Sequence, residues 1–215
     1  MRRYKAVIFD MDGVITDSES LLETEFPKLC AEYGYTLTNK HIQDTLGTTM
    51  EFGKQYFAKE FGEQFPYELI CQKFFDRLIA MAYRGEMQLK PGVLQLLEYL
   101  RKNHFPIALA SSNTKHCVMS YLDAFHIKEY FSSILSGDDV DKGKPDPSLF
   151  INSAKNLNVH PDECIVIEDS LNGLRAAKAA NMTSVFVPDL MPYSNLIAPF
   201  ADYHFENIYQ TIQLL

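Results

Sequence analysis

Residues 7–14 read VIFDMDGV, an apolar run that ends in two carboxylates and a glycine. Such a run predicts a strand buried on both faces, as in a parallel sheet covered by helices. Ligands bind at the carboxyl ends of strands in open α/β sheets, so we expect Asp10 and Asp12 to lie at a site. Two neighbouring carboxylates repel each other unless a cation lies between them, and Gly13 lets the backbone turn away. On these residues alone, an ordinary strand followed by an Asp-Gly turn is the alternative.

The composition is that of an ordinary globular protein. The 215 residues are 47% hydrophobic and 22% charged, enough for one sizeable domain or for a domain with a smaller insert. The formal net charge of −8 argues against nucleic acid or an anionic membrane surface as a partner, because both favour clustered Lys and Arg. An anionic small substrate is compatible with this charge.

The cysteines and the amino terminus indicate a cytoplasmic protein. The four cysteines are spread out with no Cys-x-x-Cys pair, which predicts reduced thiols rather than a zinc site or a disulfide framework: Cys30, Cys71, Cys117 and Cys164. The first apolar run is too short for a signal peptide, and no stretch approaches the length of a membrane span. We expect a cytoplasmic monomer.

The region from residue 19 to residue 86 reads as helical. Residues 67–79 have apolar side chains at three- and four-residue spacing, which predicts an amphipathic helix. Pro27 predicts a kink or a break, and glycines predict helix ends at Gly34, Gly47, Gly62 and Gly85. We expect a helical domain of residues 18–86 inserted into a core domain of residues 1–17 and 87–215, with hinges near residues 16–20 and 85–91.

After residue 92 the sequence alternates between helix and strand patterns. Helices are predicted at residues 93–102, 114–125 and 172–180, and a further one follows the loop of residues 142–147 and ends near residue 157. Strands are predicted at residues 105–110, 133–136, 164–167, 184–187 and 201–205. This alternation predicts βαβ units with right-handed crossovers, and therefore an α/β fold with a parallel sheet flanked by helices.

Polar clusters follow three of these strands. Asp10 and Asp12 end one, residues 111–113 (SSN) end the next, and Glu168 and Asp169 end a third. Each cluster alone is as well explained by capping or turn chemistry. Together, the carboxylates suit Mg²⁺, while the Ser111 hydroxyl and the ammonium of Lys144, in the loop of residues 142–147, suit phosphoryl oxygens. The set therefore predicts phosphoryl transfer, which requires positioning and charge neutralisation.

Four segments carry a resemblance to a known family: DMDGVITDSE at residues 10–19, ASSN at residues 110–113, GKPDP at residues 143–147 and IEDS at residues 167–170. In this order they resemble the four motifs of the haloacid dehalogenase superfamily, in the branch of β-phosphoglucomutase-like phosphatases. The resemblance covers nearly the whole chain. It implies a Rossmann-like core and a small helical cap of the C1 type, which closes over the site and excludes bulk water.

The resemblance also implies roles for individual residues. Asp10 would be the nucleophile that forms an aspartyl-phosphate, and Asp12 the general acid and base. Mg²⁺ would be held by Asp10, Asp169 and the backbone carbonyl of Asp12, with Glu168 nearby. Ser111 and Lys144 would grip the phosphoryl group. Part of the acidic run at residues 138–141 is expected to orient Lys144.

Hydrolysis, isomerisation and binding without turnover are the three alternatives. Mutases of this family carry a histidine twelve residues after the nucleophile, where this chain has Leu22, and an arginine in a cap loop that here reads LGTTM at residues 46–50. Without those groups we expect water to be the acceptor, so a phosphatase is favoured over a mutase. The intact set of acids and Lys144 makes binding without turnover the least favoured. Asp12 also argues against a dehalogenase, because cleavage of a carbon–halogen bond needs no acid there.

The sequence leaves the substrate open. Candidate contacts are Ser18, Glu19, Thr48, Thr49, Ser112 and Asn113. A helical cap without a recognised specificity motif fits sugar phosphates, nucleotides, phosphoglycolate or FMN equally well. Our hypothesis is a small phosphomonoester, a sugar phosphate.

Overall fold

A six-stranded parallel sheet forms the centre of the molecule. The computed structural model describes residues 4–46 and 48–215; the predicted helix end at Gly47 and the first three residues lie outside that range. The strands are β1 (Ala6–Phe9), β2 (Ile107–Ala110), β3 (Ser133–Leu135), β4 (Cys164–Glu168), β5 (Thr183–Phe186) and β6 (Tyr203–His204). Their order across the sheet is β3-β2-β1-β4-β5-β6, which confirms the predicted α/β class and its Rossmann-like topology.

The strand order reverses next to β1. In the register, Val7 lies between Ile107 of β2 and Ile165 of β4. The chain builds outward from β1 through β2 to β3 and then returns to place β4 on the other side. Ligands bind at the carboxyl ends of strands at such a reversal. The residues that follow β1 and β4 are therefore brought to the place where an α/β sheet binds ligands.

Alternate residues of β1 enter two different hydrophobic clusters. Val7 and Phe9 belong to the cluster that includes α5 (Val93–Lys102) and α6 (Lys115–Ala124). Ala6 and Ile8 belong to the cluster that includes α7 (Ser148–Leu157) and α8 (Leu171–Ala179). Side chains alternate between the faces of a strand, so helices cover the sheet on both sides. This explains why β1 is apolar throughout rather than alternating with polar residues.

The described residues between β1 and α5 form four helices: α1 (Ser18–Glu32), α2 (Asn39–Thr45), α3 (Met50–Phe61) and α4 (Tyr67–Tyr83). Aromatic side chains hold them together, with the ring of Phe26 at 5.3 Å from that of Phe74 and at 6.0 Å from that of Phe57. Of the two outcomes predicted at Pro27, a kink or a break, the break is wrong, because α1 continues through the proline. The apolar side chains of Phe26, Leu29 and Cys30 are buried around the proline, and their burial offsets the hydrogen bond that it cannot donate.

The two connections to the inserted helices lie side by side. The Asp17 amide donates to the Gln88 carbonyl and the Lys90 amide donates to the Ile15 carbonyl, each over 2.9 Å. Thr16 and Leu89 form an antiparallel bridge between these hydrogen bonds. Both segments predicted as hinges are thus joined to each other beside the carboxyl end of β1.

The boundaries of several elements differ from the predicted ones by one to four residues. For example, β2 begins at Ile107 rather than at residue 105, after the proline at position 106, and α4 extends to Tyr83. Among the described residues, helices end one or two residues before the glycines that were expected to end them, at positions 34, 62 and 85. Within residues 4–46 and 48–215, no helix has the length and apolar character needed to span a membrane.

Candidate active site

Lys144 lies between two acids at the carboxyl end of the sheet. Its ammonium donates to Oδ1 of Asp10 (2.5 Å), to Oε1 of Glu168 (2.6 Å) and to the carbonyl of Ala110 (2.9 Å). The side chain is only 5% exposed, so burial opposes its charge, but Asp10 and Glu168 outweigh that effect and the pKa of Lys144 is raised. This ammonium therefore stays charged and uses three donors to hold Asp10, Glu168 and the end of β2.

Glu168 is held from its other side by the start of α8. Its Oε2 accepts from the amide of Ser170 (3.2 Å) and from its hydroxyl (2.9 Å), and that hydroxyl also accepts from the amide of Gly173 and caps the helix. A β-carbon on Gly173 would lie 1.9 Å from Cδ of Glu168. The helix can thus approach this carboxylate only with glycine at position 173.

Asp169 is positioned against the turn that follows β1. Gly13 has a φ of +69°, and a β-carbon there would lie 2.2 Å from Oδ2 of Asp169. An L side chain would therefore meet both backbone strain and a direct clash. The glycine of the Asp-x-Asp-Gly motif brings the backbone after β1 into contact with the acid that follows β4.

Both carboxylate oxygens of Asp12 accept hydrogen bonds. Ser18, at the start of α1, donates to Oδ1 (2.7 Å), and Asn113, after β2, donates to Oδ2 (2.6 Å). Burial is the main cause that raises the pKa of Asp12, against the opposing effects of the Ser18 hydrogen bond and of Lys144. A carboxyl with a raised pKa is better able to hold the proton that a general acid needs.

The acids offer a set of ligands suited to a divalent cation. Ligand atoms of Asp10, Glu168 and Asp169 all lie within 4.8 Å of one another. Burial, reinforced by neighbouring acids, raises the pKa of Asp10 and of Asp169 well above the usual range, although Lys144 opposes the shift at Asp10. Hard carboxylate oxygens that repel one another in a buried place fit Mg²⁺, which binds through a few carboxylates and keeps positions open for phosphate oxygens.

A second group of acids shares Asp169. Glu19, Asp169 and Asp189 also place ligand atoms within 4.8 Å of one another. Burial raises the pKa of Glu19 to about 7, with Asp189 and Asp12 adding to the shift and Lys90 opposing it. The predicted substrate contact Glu19 therefore belongs to the acidic network around Asp169.

Lys90 and Asp189 form an ion pair beside the second group of acids, and the sequence did not indicate it. The Lys90 ammonium contacts Oδ1 of Asp189 at 2.5 Å and Oδ1 of Asp17 at 3.6 Å. The other oxygen of Asp189 is buried without a hydrogen-bond partner and lies 3.0 Å from the position of a β-carbon on Gly13. The available signal was positional, because Asp189 follows β5 as the other acids follow β1 and β4.

Ser111 lies fully buried at the end of β2. Its amide donates to the carbonyl of Leu135 (3.0 Å), and its hydroxyl oxygen accepts from the amide of Asn113 (3.1 Å).

The expectation that the acidic run at residues 138–141 orients Lys144 is wrong. Asp139 instead accepts hydrogen bonds from Ser136 and Lys115. Separately, the peptide bond from Lys144 to Pro145 is cis.

A cavity of about 550 Å³ opens over these groups, between the sheet and the inserted helices. Its lining includes Asp10, Asp12, Glu19, Lys144 and Asp169 together with Thr48, Thr49 and Ser112. The structure thus brings the predicted nucleophile and acid, Lys144 and the predicted cation ligand Asp169 to one cavity with most of the predicted substrate contacts, whereas Glu168 and Ser111 lie behind its lining. Ser18 and Asn113 reach it through Asp12.

Comparison with known proteins agrees with this geometry. Residues 7–187 match the family model of the haloacid dehalogenase-like hydrolases. The chain belongs to the haloacid dehalogenase-like hydrolases. It is 35% identical to YhcW of Bacillus subtilis (strain 168) over 86% of this chain and 84% of that protein. It is 29% identical to hexitol phosphatase B of Escherichia coli (strain K12), over 87% of this chain and 85% of that protein.

Among solved structures, the chain resembles a mutant of CbbY from Rhodobacter sphaeroides in complex with xylulose-(1,5)bisphosphate. The TM-score is 0.81 at 26% sequence identity, and the match covers 96% of each chain. Together with the named phosphatases among its relatives, this supports assigning this haloacid dehalogenase-like protein as a phosphoric monoester hydrolase.

Proposed function

We propose that this protein is a Mg²⁺-dependent phosphatase that hydrolyses a small phosphomonoester through an aspartyl-phosphate on Asp10. The main support is the contact of Lys144 with both Asp10 and Glu168, beside Asp169. One buried cation faces several buried acids, so the site needs a further cation before it can accept an anionic phosphoryl group.

In the first half of the reaction, Asp10 attacks the phosphorus atom. A bond forms between the Asp10 carboxylate and phosphorus while the ester oxygen–phosphorus bond breaks, and Asp12 gives its proton to the leaving alcohol. Lys144 neutralises charge on the phosphoryl oxygens, and the Ser111 hydroxyl donates a hydrogen bond to them. In the second half, Asp12 takes a proton from water, the water oxygen bonds to phosphorus, and Asp10 leaves as a carboxylate.

Asp10, Asp169 and the backbone carbonyl of Asp12 would hold Mg²⁺, with Glu168 beside them. Bound there, the ion would neutralise charge on the phosphoryl group as a Lewis acid. The helices of residues 18–86 would act as a cap domain over the cavity, with Thr48 and Thr49 facing it and the paired segments around Thr16 and Leu89 as its hinge.

The alternative function is a mutase of the β-phosphoglucomutase type. Leu22 lines an apolar cavity next to Asp12, where an isomerase would need a polar group to hold a bisphosphate that turns around. Hydrolysis is therefore the better supported reaction. The relative named hexitol phosphatase B and the CbbY complex with a sugar bisphosphate support a phosphorylated sugar as the substrate class.

A phosphate-release screen over sugar phosphates, nucleotides, FMN and phosphoglycolate, with Mg²⁺ or with a chelator, tests the proposal. Release should need Mg²⁺ and fall by at least about a thousandfold in Asp10→Asn. Asp138→Asn, at an exposed acid of the short 3-10 helix that follows β3, is the control. Turnover that survives in Asp10→Asn or ignores the chelator would exclude the aspartyl-phosphate route.

Two further outcomes separate the alternatives. Conversion of a hexose 1-phosphate to its 6-phosphate without net phosphate release would identify a mutase. A folded protein that binds Mg²⁺ and sugar phosphates but releases phosphate from none of them would be a binding protein.

A further inference from the structure

A second cavity extends from Asp12 away from the acids and into the inserted helices. Its volume is about 310 Å³. The mouth is shared with the catalytic cavity through Asp12, Glu19, Ser112 and the loop that carries Thr48 and Thr49. A substrate whose phosphoryl group lies at Asp10 would therefore direct its alcohol toward this second cavity.

The lining of this cavity changes from polar to apolar with depth. At the mouth, Ser18 and Asn113 hold the Asp12 carboxylate, and Glu19 lies beside them. One and two turns further along α1 from Ser18, the lining is Leu22 and then Phe26. The far walls are apolar, formed by side chains of α2, α3 and α4: Ile42, Phe57, Phe74, Phe75 and Leu78.

This inner part is aromatic rather than merely apolar. Phe26, Phe57 and Phe74 are each at most 5% exposed, and their rings contact one another through Phe26. The hydroxyl of Tyr67, which also lines the cavity, is directed to the sulfur of Met50 at 4.0 Å. A bare sugar in this space would lose hydration of its hydroxyl groups without gaining matching partners. A planar ring would instead gain apolar burial and edge-to-face contacts.

We propose that this cavity binds an aromatic ring carried by the substrate, so that the enzyme prefers a phosphorylated sugar or polyol bearing such a ring over the ring-free sugar phosphate. The inference rests on the proposed phosphatase function and specifies its substrate class. The polar mouth of the cavity would contact the hydroxylated part of the substrate next to its phosphate, and the aromatic walls would contact the ring. A volume of about 310 Å³ lies at the lower end of the range for small-molecule pockets and holds one ring system.

The first test compares kcat/KM for ribose 5-phosphate with that for two ring-bearing relatives, a purine nucleoside 5′-monophosphate and FMN. At least one ring-bearing substrate should exceed ribose 5-phosphate by about tenfold or more, and the two arms distinguish a nucleoside from a flavin. Equal or better turnover of ribose 5-phosphate would overturn the inference while leaving the phosphatase function intact. Release from none of the compounds would instead contradict the proposed function.

The second test fills the cavity. Leu22→Trp adds bulk to its wall, and Met50→Glu adds charge at its rim, where the native side chain is 53% exposed and we expect the substitution to leave the fold intact. Each variant should lower the ratio of kcat/KM between the ring-bearing substrate and ribose 5-phosphate by about tenfold. Leu69→Trp, at a 43% exposed position on α4, is the matched control and should leave the ratio unchanged. An unchanged ratio in folded Met50→Glu and Leu22→Trp would contradict the assignment.

Binding can be measured without turnover. In Asp10→Asn with Mg²⁺, the fluorescence anisotropy of FMN should rise as the ring is held against the phenylalanines, and the chain has no tryptophan to quench its emission. The nucleotide is followed by equilibrium dialysis. Absence of detectable binding by either ring-bearing compound, while ribose 5-phosphate binds, would also overturn the inference.

Discussion

Gly13 and Asp169 approach each other so closely that a β-carbon on the glycine would lie 2.2 Å from Oδ2 of the acid. The turn after β1 and Asp169 after β4 can pack this closely only because residue 13 has no side chain. Because Asp10 lies three residues before Gly13, this contact fixes the distance between two of the proposed Mg²⁺ ligands.

Gly13→Ala should reduce Mg²⁺ affinity and phosphate release by at least about tenfold, because Asp169 must move to admit the methyl group. Gly34→Ala is the matched control: its φ is +85°, and a β-carbon there meets nothing within 4 Å. It should show only backbone strain, a loss of about 1–2 kcal/mol in the free energy of unfolding. Isothermal titration with Mg²⁺ and urea unfolding separate the two effects. Equal Mg²⁺ affinity in both variants would contradict the steric explanation.

Lys144→Met should lower the free energy of unfolding by about 3–5 kcal/mol, because it leaves Asp10 and Glu168 buried without their cation. Phosphate release should be lost as well. Lys142→Met removes an exposed charge from the same loop and should change stability by less than about 0.5 kcal/mol. Urea unfolding of both variants in a chelator checks this. A stability loss no larger than that of Lys142→Met would show that the buried pair is not formed.

The metal-free protein should lose stability as the pH rises from about 4.5 to about 7. The unfolded chain releases the Glu19 proton near its ordinary pKa of 4.5, whereas the folded protein retains it up to about 7. The unfolded state thus binds fewer protons in this window, and linkage makes stability fall with pH. The raised pKa values of Asp10, Asp12 and Asp169 act in the same direction.

Thermal unfolding of the wild type and of Glu19→Gln, in a chelator from pH 4.5 to pH 8, measures this dependence. Glu19→Gln should show a smaller fall of Tm with pH, and Mg²⁺ should raise the wild-type Tm most above pH 7, where the acids are ionised. Parallel Tm profiles for the two proteins would show that Glu19 does not titrate in this window.

Lys90→Gln should destabilise the protein by about 1–3 kcal/mol, because Asp189 has a side chain only 9% exposed and would lose its ion pair. Mg²⁺ should restore part of this lost stability, because a cation beside Asp169 would offset the repulsion between Asp189 and Asp169. Lys28→Gln, which breaks an exposed pair with Glu25, should cost at most about 1 kcal/mol. Urea unfolding with and without Mg²⁺ compares the two. A smaller effect at Lys90 than at Lys28 would contradict a structural role for the Lys90 pair.

The parallel sheet and the cluster of acids were predictable because each rests on a local pattern. An apolar run that ends in an acid, such as residues 6–10, indicates both that its strand is buried and that ligands bind at the end of that strand. Asp10, Ser111 and Asp169 each follow directly after a strand, and Asp12 lies three residues after one, so strand topology alone brings them together.

The features that were missed depend on contacts across the fold. Lys90 and Asp189 are far apart in sequence, and neither lies in a motif. The aromatic lining formed by Phe26 and Phe74 has the same helical spacing as an ordinary core, because the cavity depends on how four helices pack and not on their periodicity. The continuity of α1 through Pro27 likewise depends on burial of its neighbours.

The pairing of β1 with β4 joins Ala6 to Cys164, so the strand that precedes Asp10 gains one of its neighbours only after three quarters of the chain has been made. A nascent chain that has emerged as far as α6 can form the β1–β2 pair but holds neither Lys144 nor Asp169. During that interval Asp10 has no lysine partner, and an edge of β1 is open to other strands. Catalytic competence thus appears late in synthesis and together with protection of that edge, so phosphate release also reports that the central sheet is complete.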